Sequence, residues 1–306
     1  MRSAGSSESA CSLGSYGLSQ TVINNRSKRE TMKKYNGEKY IVSFTSFGQR
    51  FEDACKMIYS LQKQTYKNFH LCITIWEGDL KDITPTLQLF IDNDLLEVIV
   101  APENLCPHLK YFYAMKKYWD KPIITVDDDR IYSPNSIENL IKKYEMLKFK
   151  SVISNCAICF NRINESITDR TEWPKNRLSN SKTSFTAMAE GFAAVLYPPK
   201  CFSNLDSELE NIKQCLYDDD LFLRTLEIRE NIPVTQADLR YFDYPVNNGV
   251  FGMDIRSAQK FALATHGNDI GRYPISYRKD LTDKLKDVLL RGFELNENSN
   301  NNLYNT

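Results

Sequence analysis

The chain has 306 residues, 39 Lys and Arg balanced by 39 Asp and Glu, and is 42% hydrophobic and 12% aromatic. A chain of that size buries roughly 75% of its unfolded surface, and zero net charge excludes the electrostatic footprint of a general nucleic-acid binder. Eight dispersed cysteines are too sparse for a disulfide scaffold, no apolar run approaches the roughly 18 residues of a spanning helix, and MRSAGSSESACSLGSYGLSQ has no apolar signal core.

Residues 1–36, rich in Ser, Gly and Asn, are expected to be a disordered leader. Ile41, Val42, Phe44 and Phe47 mark a first strand, after which Phe51, Cys55, Ile58 and Leu61 fall on one helical face. Phe69, Leu71, Ile73 and Ile75 alternate strictly, as in a half-buried second strand. Thr84-Pro85 supplies an N-cap and a proline at the first helical position. A third strand follows over 95–101, a helix over 108–118, and a fourth strand over 122–126 that runs into Asp127-Asp128-Asp129. Ser133-Pro134 is expected to cap a helix over about 135–149. Cys156 and Cys159, within VISNCAICF, are expected as buried strand residues rather than a redox or zinc pair. Residues 291–306, ending in NENSNNNLYNT, are expected as a flexible tail.

Alternating strands and helices predict an α/β fold with a mostly parallel central sheet flanked by helices. Ligands of such sheets bind at the carboxyl ends of the strands, where the acidic triplet stands. In extended backbone Asp127 and Asp129 share a face and Asp128 points oppositely. Two converging carboxylates form a hard-oxygen half-site for Mn²⁺ or Mg²⁺, completed by substrate phosphates. A helix cap is the competing explanation, and it needs only one acidic side chain. The second cluster, Asp218 to Asp220, opens a helix, where carboxylates suit the dipole. One of them, Asp220 before Asp219, could instead take the proton of an acceptor hydroxyl.

The segments IVSFTSFGQRF, SLQKQTY, the strand ending in WEGD, IITVDDDRIYSPNSI, and AEGFAAVLYPP followed by YDDDLFL stand in this order. Together they resemble family-2-like glycosyltransferases of the GT-A fold, nearest to bacterial enzymes that build cell-surface polysaccharide. The resemblance implies one GT-A-type, Rossmann-like domain over 37–290, with a nucleotide-binding half at 37–130 and an acceptor-binding half at 131–290. It implies that Thr45, Ser46 and Arg50 line the nucleotide site, that Glu77 or Asp79 meets the uracil or ribose, and that Lys110 contacts the donor. Asp127 would approach the ribose beside Asp128, Asp129 would bind the metal with Asp127, and Asp220 would be the base of an inverting enzyme. His266, with Asp269 as its rival, is a further candidate metal ligand. Cys106 stands where glycine is more usual, and Arg130 places a cation beside the triplet.

The implied partners are a nucleoside-diphosphate sugar, probed first as UDP-linked, and a saccharide or lipid-linked acceptor, without nucleic acid. A reduced, cytoplasmic protein is expected; Lys142, Lys143, Lys148 and Lys150 read first as a solvated basic face of one helix, with peripheral contact to the inner face of an anionic membrane as the alternative. A nucleotidyltransferase is the alternative enzyme, although SFTSFGQRF has a single Gly and no Lys for a phosphate-cradling loop. A non-catalytic sugar-nucleotide or glycan binder is the other. His70 and His108 are expected to be ordinary structural histidines, and Trp76 and Trp173 core aromatics.

Overall fold

A computed structural model describes residues 36–48, 50–148, 151–238 and 282–303. Strand β1 (Tyr40–Thr45) leads into helix α1 (Arg50–Gln62), whose Phe51, Cys55, Ile58 and Leu61 are all buried. Strand β2 (Phe69–Trp76) is followed by a short 3-10 turn, Glu77–Asp82, and by helix α2 (Pro85–Asp92). The Thr84 hydroxyl accepts the Leu87 N–H at 3.4 Å, so the expected cap is present. Strand β3 (Glu97–Ala101) precedes a 3-10 turn, Cys106–Lys110, and helix α3 (Phe112–Lys117). The continuous helix expected over 108–118 is thus broken at Tyr111, whose φ of −121° is not helical.

Strand β4 (Ile123–Thr125) and helix α4 (Ser136–Met146) come next. The latter starts later than Ser133-Pro134 predicts: Ser133 accepts the Ser136 N–H through its carbonyl, and Asn135 is the cap position. Short strands β5 (Val152–Ser154), β6 (Ala157–Cys159), β7 (Arg162–Ile163), β8 (Ser166–Ile167), β9 (Thr183–Ser184), β10 (Ala187–Ala189) and β11 (Val195–Tyr197) fill the next segment. Helices α5 (Leu209–Gln214) and α6 (Asp219–Arg229), strand β12 (Val234–Gln236) and helix α7 (Lys286–Leu303) complete the described residues.

Eight strands form one sheet in the order β3-β2-β1-β4-β11-β5-β12-β9. β3, β2, β1 and β4 pair in parallel, as do β5 and β12, while β11 runs antiparallel between β4 and β5. This is the mostly parallel α/β sheet that the alternating pattern predicts. β2 lies on one side of β1 and β4 on the other, so the strand order reverses at β1 and opens a crevice at the carboxyl ends of β1 and β4.

Side chains of β1 alternate between two cores. Tyr40, Val42 and Phe44 join Phe51, Leu87 and Ile137 on one face, and Ile41 joins Leu109, Phe112 and Leu221 on the other. Helices therefore cover both faces, and β2 is not half-buried as its alternation predicts. His70, Cys72 and Thr74, on its more polar side, are as buried as Leu71 and Ile73.

Helix α7 extends through residues that composition alone assigns to a frayed end. It is anchored by Leu289, fully buried, and by Asn296, whose side chain accepts the Phe185 N–H at 2.8 Å. Trp173 is fully buried against Phe160, as expected. The two cysteines match their expectation only in part: both are free thiols, but Cys156 is buried just ahead of β6, with its thiol 3.1 Å from Glu190, and Cys159 ends β6 half-buried. Lys143 departs from a solvated basic face: it is buried and pairs with Asp238 at 2.6 Å. Among the described residues no helix is long and apolar enough to cross a membrane.

Candidate active site

Three elements end at the crevice. β1 delivers Thr45 and Ser46, β4 delivers the triplet, and the antiparallel β11 begins where β4 ends, with Val195 opposite Thr125. The 3-10 turn before β11, Gly191–Ala193, therefore lies beside the triplet. Thr45 donates its hydroxyl to the Thr74 carbonyl at 2.8 Å, joining β1 to β2, and Ser46 lies buried against Asp128.

The triplet is not extended. β4 stops at Thr125, and Asp128 and Asp129 occupy a turn, so the alternation expected of Asp127, Asp128 and Asp129 does not hold. Arg50, the first residue of α1, forks onto Asp128, its Nε donating at 3.0 Å and a terminal nitrogen pairing with the other carboxylate oxygen. The same guanidinium stands 3.6 Å from Asp129, which also has Arg130 at 3.5 Å. Burial pushes the Asp129 carboxyl up to about 7, helped by Asp128 and Asp127 and opposed by the two arginines. Arg130 in turn lies over the Phe192 ring, 4.9 Å from its centroid.

Lys110 joins the two acidic clusters. Its ammonium, buried, is 2.9 Å from Asp127 and 2.7 Å from Asp219. Burial alone would depress its pKa, yet Asp127, Asp219 and Asp220 together raise it well above the usual lysine value. The lysine thus stays charged and holds two carboxylates, 92 positions apart in the numbering from Asp127 to Asp219, within one salt-bridge network.

The second cluster divides its labour. Asp218 is the N-cap of α6, its carboxylate accepting the Leu221 N–H at 3.2 Å. Asp219 is buried, but Lys110 overcomes that burial and lowers its pKa. Asp220 accepts the Gly191 N–H through both oxygens, at 3.1 Å each. Burial and then neighbouring Asp219 push its carboxyl up to about 8. A base of higher pKa takes a proton more strongly, so Asp220 suits that role better than the lysine-bound Asp219.

Two further features hold the site. The Tyr132 hydroxyl accepts the Asp127 N–H at 2.9 Å and donates to the Phe192 carbonyl at 3.0 Å, tying the triplet to the Gly191 turn. Ala194, fully buried at the end of that turn, has φ +74° and ψ +133°, a conformation that side chains disfavour. Sequence reasoning did not reach Tyr132, which bonds partners 5 and 60 residues away through its single hydroxyl. Cys106 has φ +52°, a left-handed backbone that glycine would adopt at less cost.

Glu77, exposed, and Asp79, half-buried, sit on the turn after β2, two strands from the triplet. The Trp76 ring folds over Gly78, where a Cβ would lie 2.5 Å from it. His266 and Asp269 lie outside the described residues. For a divalent cation, the residues fit in part. Asp129 offers a hard carboxylate whose two arginines stand off beyond hydrogen-bond distance. Among the described residues no group of three or more His, Cys, Asp or Glu is placed to hold a metal, so the remaining ligands would come from phosphate and water.

No family model matches the chain, and neither does any curated protein sequence. Among solved structures, the chain is similar to TarS 1–349 of S. aureus at 9% identity and a TM-score of 0.44, covering 65% of this chain and 58% of that one. It thus spans less than two thirds of that TarS chain. It is similar to the mannosyltransferase PcManGT of Pyrobaculum calidifontis, solved with GDP-Man and Mn²⁺, at 11% identity and a TM-score of 0.45, covering 88% and 73%. It is also similar to an apo UDP-glucose pyrophosphorylase at 10% identity and a TM-score of 0.38, covering 66% and 90%.

Proposed function

We propose that the chain is an inverting, metal-dependent glycosyltransferase that moves a sugar from a nucleoside-diphosphate donor, UDP-linked in the first instance, to a saccharide or lipid-linked acceptor. The observation that supports this most is the convergence of Asp220 on the triplet across Lys110. A carboxylate of raised pKa is thereby held beside the carboxyl end of β4, where Arg50 pairs with Asp128 and Arg130 lies over Phe192 of the turn that binds Asp220. Asp220 takes the proton of the acceptor hydroxyl as its oxygen attacks the anomeric carbon, and a single displacement inverts that centre. Arg50 and Arg130 offer positive charge toward the diphosphate, while Lys110 holds Asp127 and Asp219 in register. Asp129, with Asp127, would hold Mn²⁺ or Mg²⁺, which when bound stabilises negative charge on the departing diphosphate.

On this proposal the protein works at the cytoplasmic face of a membrane in surface polysaccharide synthesis. The test is release of nucleoside diphosphate from a panel of UDP-, GDP-, CDP- and dTDP-sugars with Mn²⁺ and saccharide acceptors. The wild type should turn over one donor class. Asp220→Asn should lose turnover by about 10³-fold while keeping donor binding. Full activity in Asp220→Asn, or in Asp129→Ala, would overturn the residue assignments.

A further inference from the structure

His108 is fully buried in the Cys106–Lys110 turn, two residues before the lysine that joins the acidic clusters. Its Nε2 lies 3.0 Å from the Cys215 carbonyl oxygen and its Nδ1 2.7 Å from the Tyr111 hydroxyl. A carbonyl oxygen only accepts, so Nε2 carries the proton and Nδ1 accepts from the Tyr111 hydroxyl. Burial lowers the imidazole pKa and keeps the ring in that neutral tautomer. The same Cys215 carbonyl accepts the Asp218 N–H at 2.9 Å, closing the turn whose last residue caps α6. The imidazole also packs edge-on against Phe222 of α6, ring centroids 5.4 Å apart. One side chain therefore grips both the turn before α6 and the helix itself, from the segment that presents Lys110.

We infer that His108 is a positioning residue for Asp220, with Tyr111 fixing its tautomer; the inference rests on the glycosyltransferase proposal only for its effect on rate. His108 acts through the Cys215 carbonyl: it sets the first turn of α6 against Lys110 and the Gly191 amide. Loss of that grip lets the Asp220 carboxylate drift from the attacking hydroxyl without altering the nucleotide crevice.

The experiment compares His108→Leu, His108→Gln and Tyr111→Phe with the wild-type chain by kcat, donor KM and amide hydrogen exchange. His108→Leu should lower kcat about 100-fold with donor KM unchanged within about threefold, the pattern of a misplaced catalytic group. His108→Gln keeps an N–H toward Cys215 and an oxygen toward Tyr111, and should recover at least about tenfold of that loss. Exchange at the Asp218, Leu221 and Phe222 amides should quicken at least about tenfold in His108→Leu and in Tyr111→Phe, with β1 and β2 amides unchanged. Unchanged protection at those three amides, or equal loss of protection in β1 and β2, would overturn the inference. Should wild type turn over no donor, the functional proposal fails, while the exchange comparison still decides whether His108 places α6. If His108→Leu does not fold, Tyr111→Phe carries the same exchange test.

Discussion

The Gly191 N–H donates to both carboxylate oxygens of Asp220, at 3.1 Å each. A Cβ at position 191 would lie 2.7 Å from Asp220 Oδ1 and 2.5 Å from Lys110 Nζ. Both clashes are with the ends of side chains, so the fold can accommodate alanine while the site cannot. Gly191→Ala should lower kcat by about 10²-fold, with the thermal midpoint moving by only a few degrees. A variant with wild-type kcat would show that this contact does not set the geometry of the base.

The pH dependence follows from the same carboxylate. Asp219, Lys110, Asp127 and the Gly191 amide face Asp220, and burial with Asp219 raises its pKa to about 8. A base works only when deprotonated, so kcat should rise as pH increases through about 8 and level above it. The stability sign is opposite. The unfolded carboxyl ionises near its ordinary value of 3.8 and the folded one only near 8, so stability falls as pH rises between them. Asp220→Asn should flatten that fall. Denaturation midpoints from pH 5 to 9 check it.

Lys110 is buried and paired with Asp127 and Asp219. Lys110→Met keeps the stem and removes the charge, leaving two carboxylates without their common partner. The expected loss is about 3–5 kcal/mol in urea denaturation. A loss below about 1 kcal/mol would contradict the lysine's place as the charge that holds the clusters together.

At the opposite end of the sheet, Glu97 accepts hydrogen bonds from His70 at 2.9 Å, Lys117 at 2.6 Å and Tyr118 at 2.5 Å. Burial raises its carboxyl, and those three partners overcome the effect and hold it at about 2. A depressed carboxylate contributes stability above its unfolded pKa and loses it as pH falls through the folded one. Glu97→Gln should therefore cost about 1–2 kcal/mol at pH 7, allowing for solvent screening. The difference should shrink below pH 4.5 and vanish near pH 2. A pH-independent difference would contradict it.

Ala194 tests whether the Gly191 turn stores strain. Its φ of +74° is one that glycine adopts freely. Ala194→Gly should stabilise the fold by about 1 kcal/mol, while kcat falls because the turn beside Asp220 is freer to move.

The parallel half of the fold is legible because its signals are local. Phe51, Cys55, Ile58 and Leu61 define a helix face within 11 residues, and Thr84-Pro85 defines a start in two. The second half is less legible because β5 to β12 have only two or three residues each, too few for a period to show. Their places come from long-range pairing, as when β11 inserts between β4 and β5. In the site, the residue types are legible and their partners are not. Asp127 and Asp219 each belong to a visible acidic run, but only the fold brings Lys110 between them. Strand alternation misassigned Asp128 and Asp129 because the strand ends at Thr125, before the triplet. His108 has no acidic neighbour in sequence, and its partner Cys215 lies 107 residues away.

The most direct measurement is the thermal midpoint of the wild-type chain with UDP, GDP, CDP and dTDP, each with and without Mn²⁺. A nucleotide at about 100 times its dissociation constant adds roughly 2.7 kcal/mol, a shift of several degrees. Stabilisation by UDP that requires Mn²⁺ is the expected result, and the same panel on Asp129→Ala should lose it. No shift with any nucleotide, with or without the metal, would contradict a sugar-nucleotide site at the Asp127–Asp129 crevice.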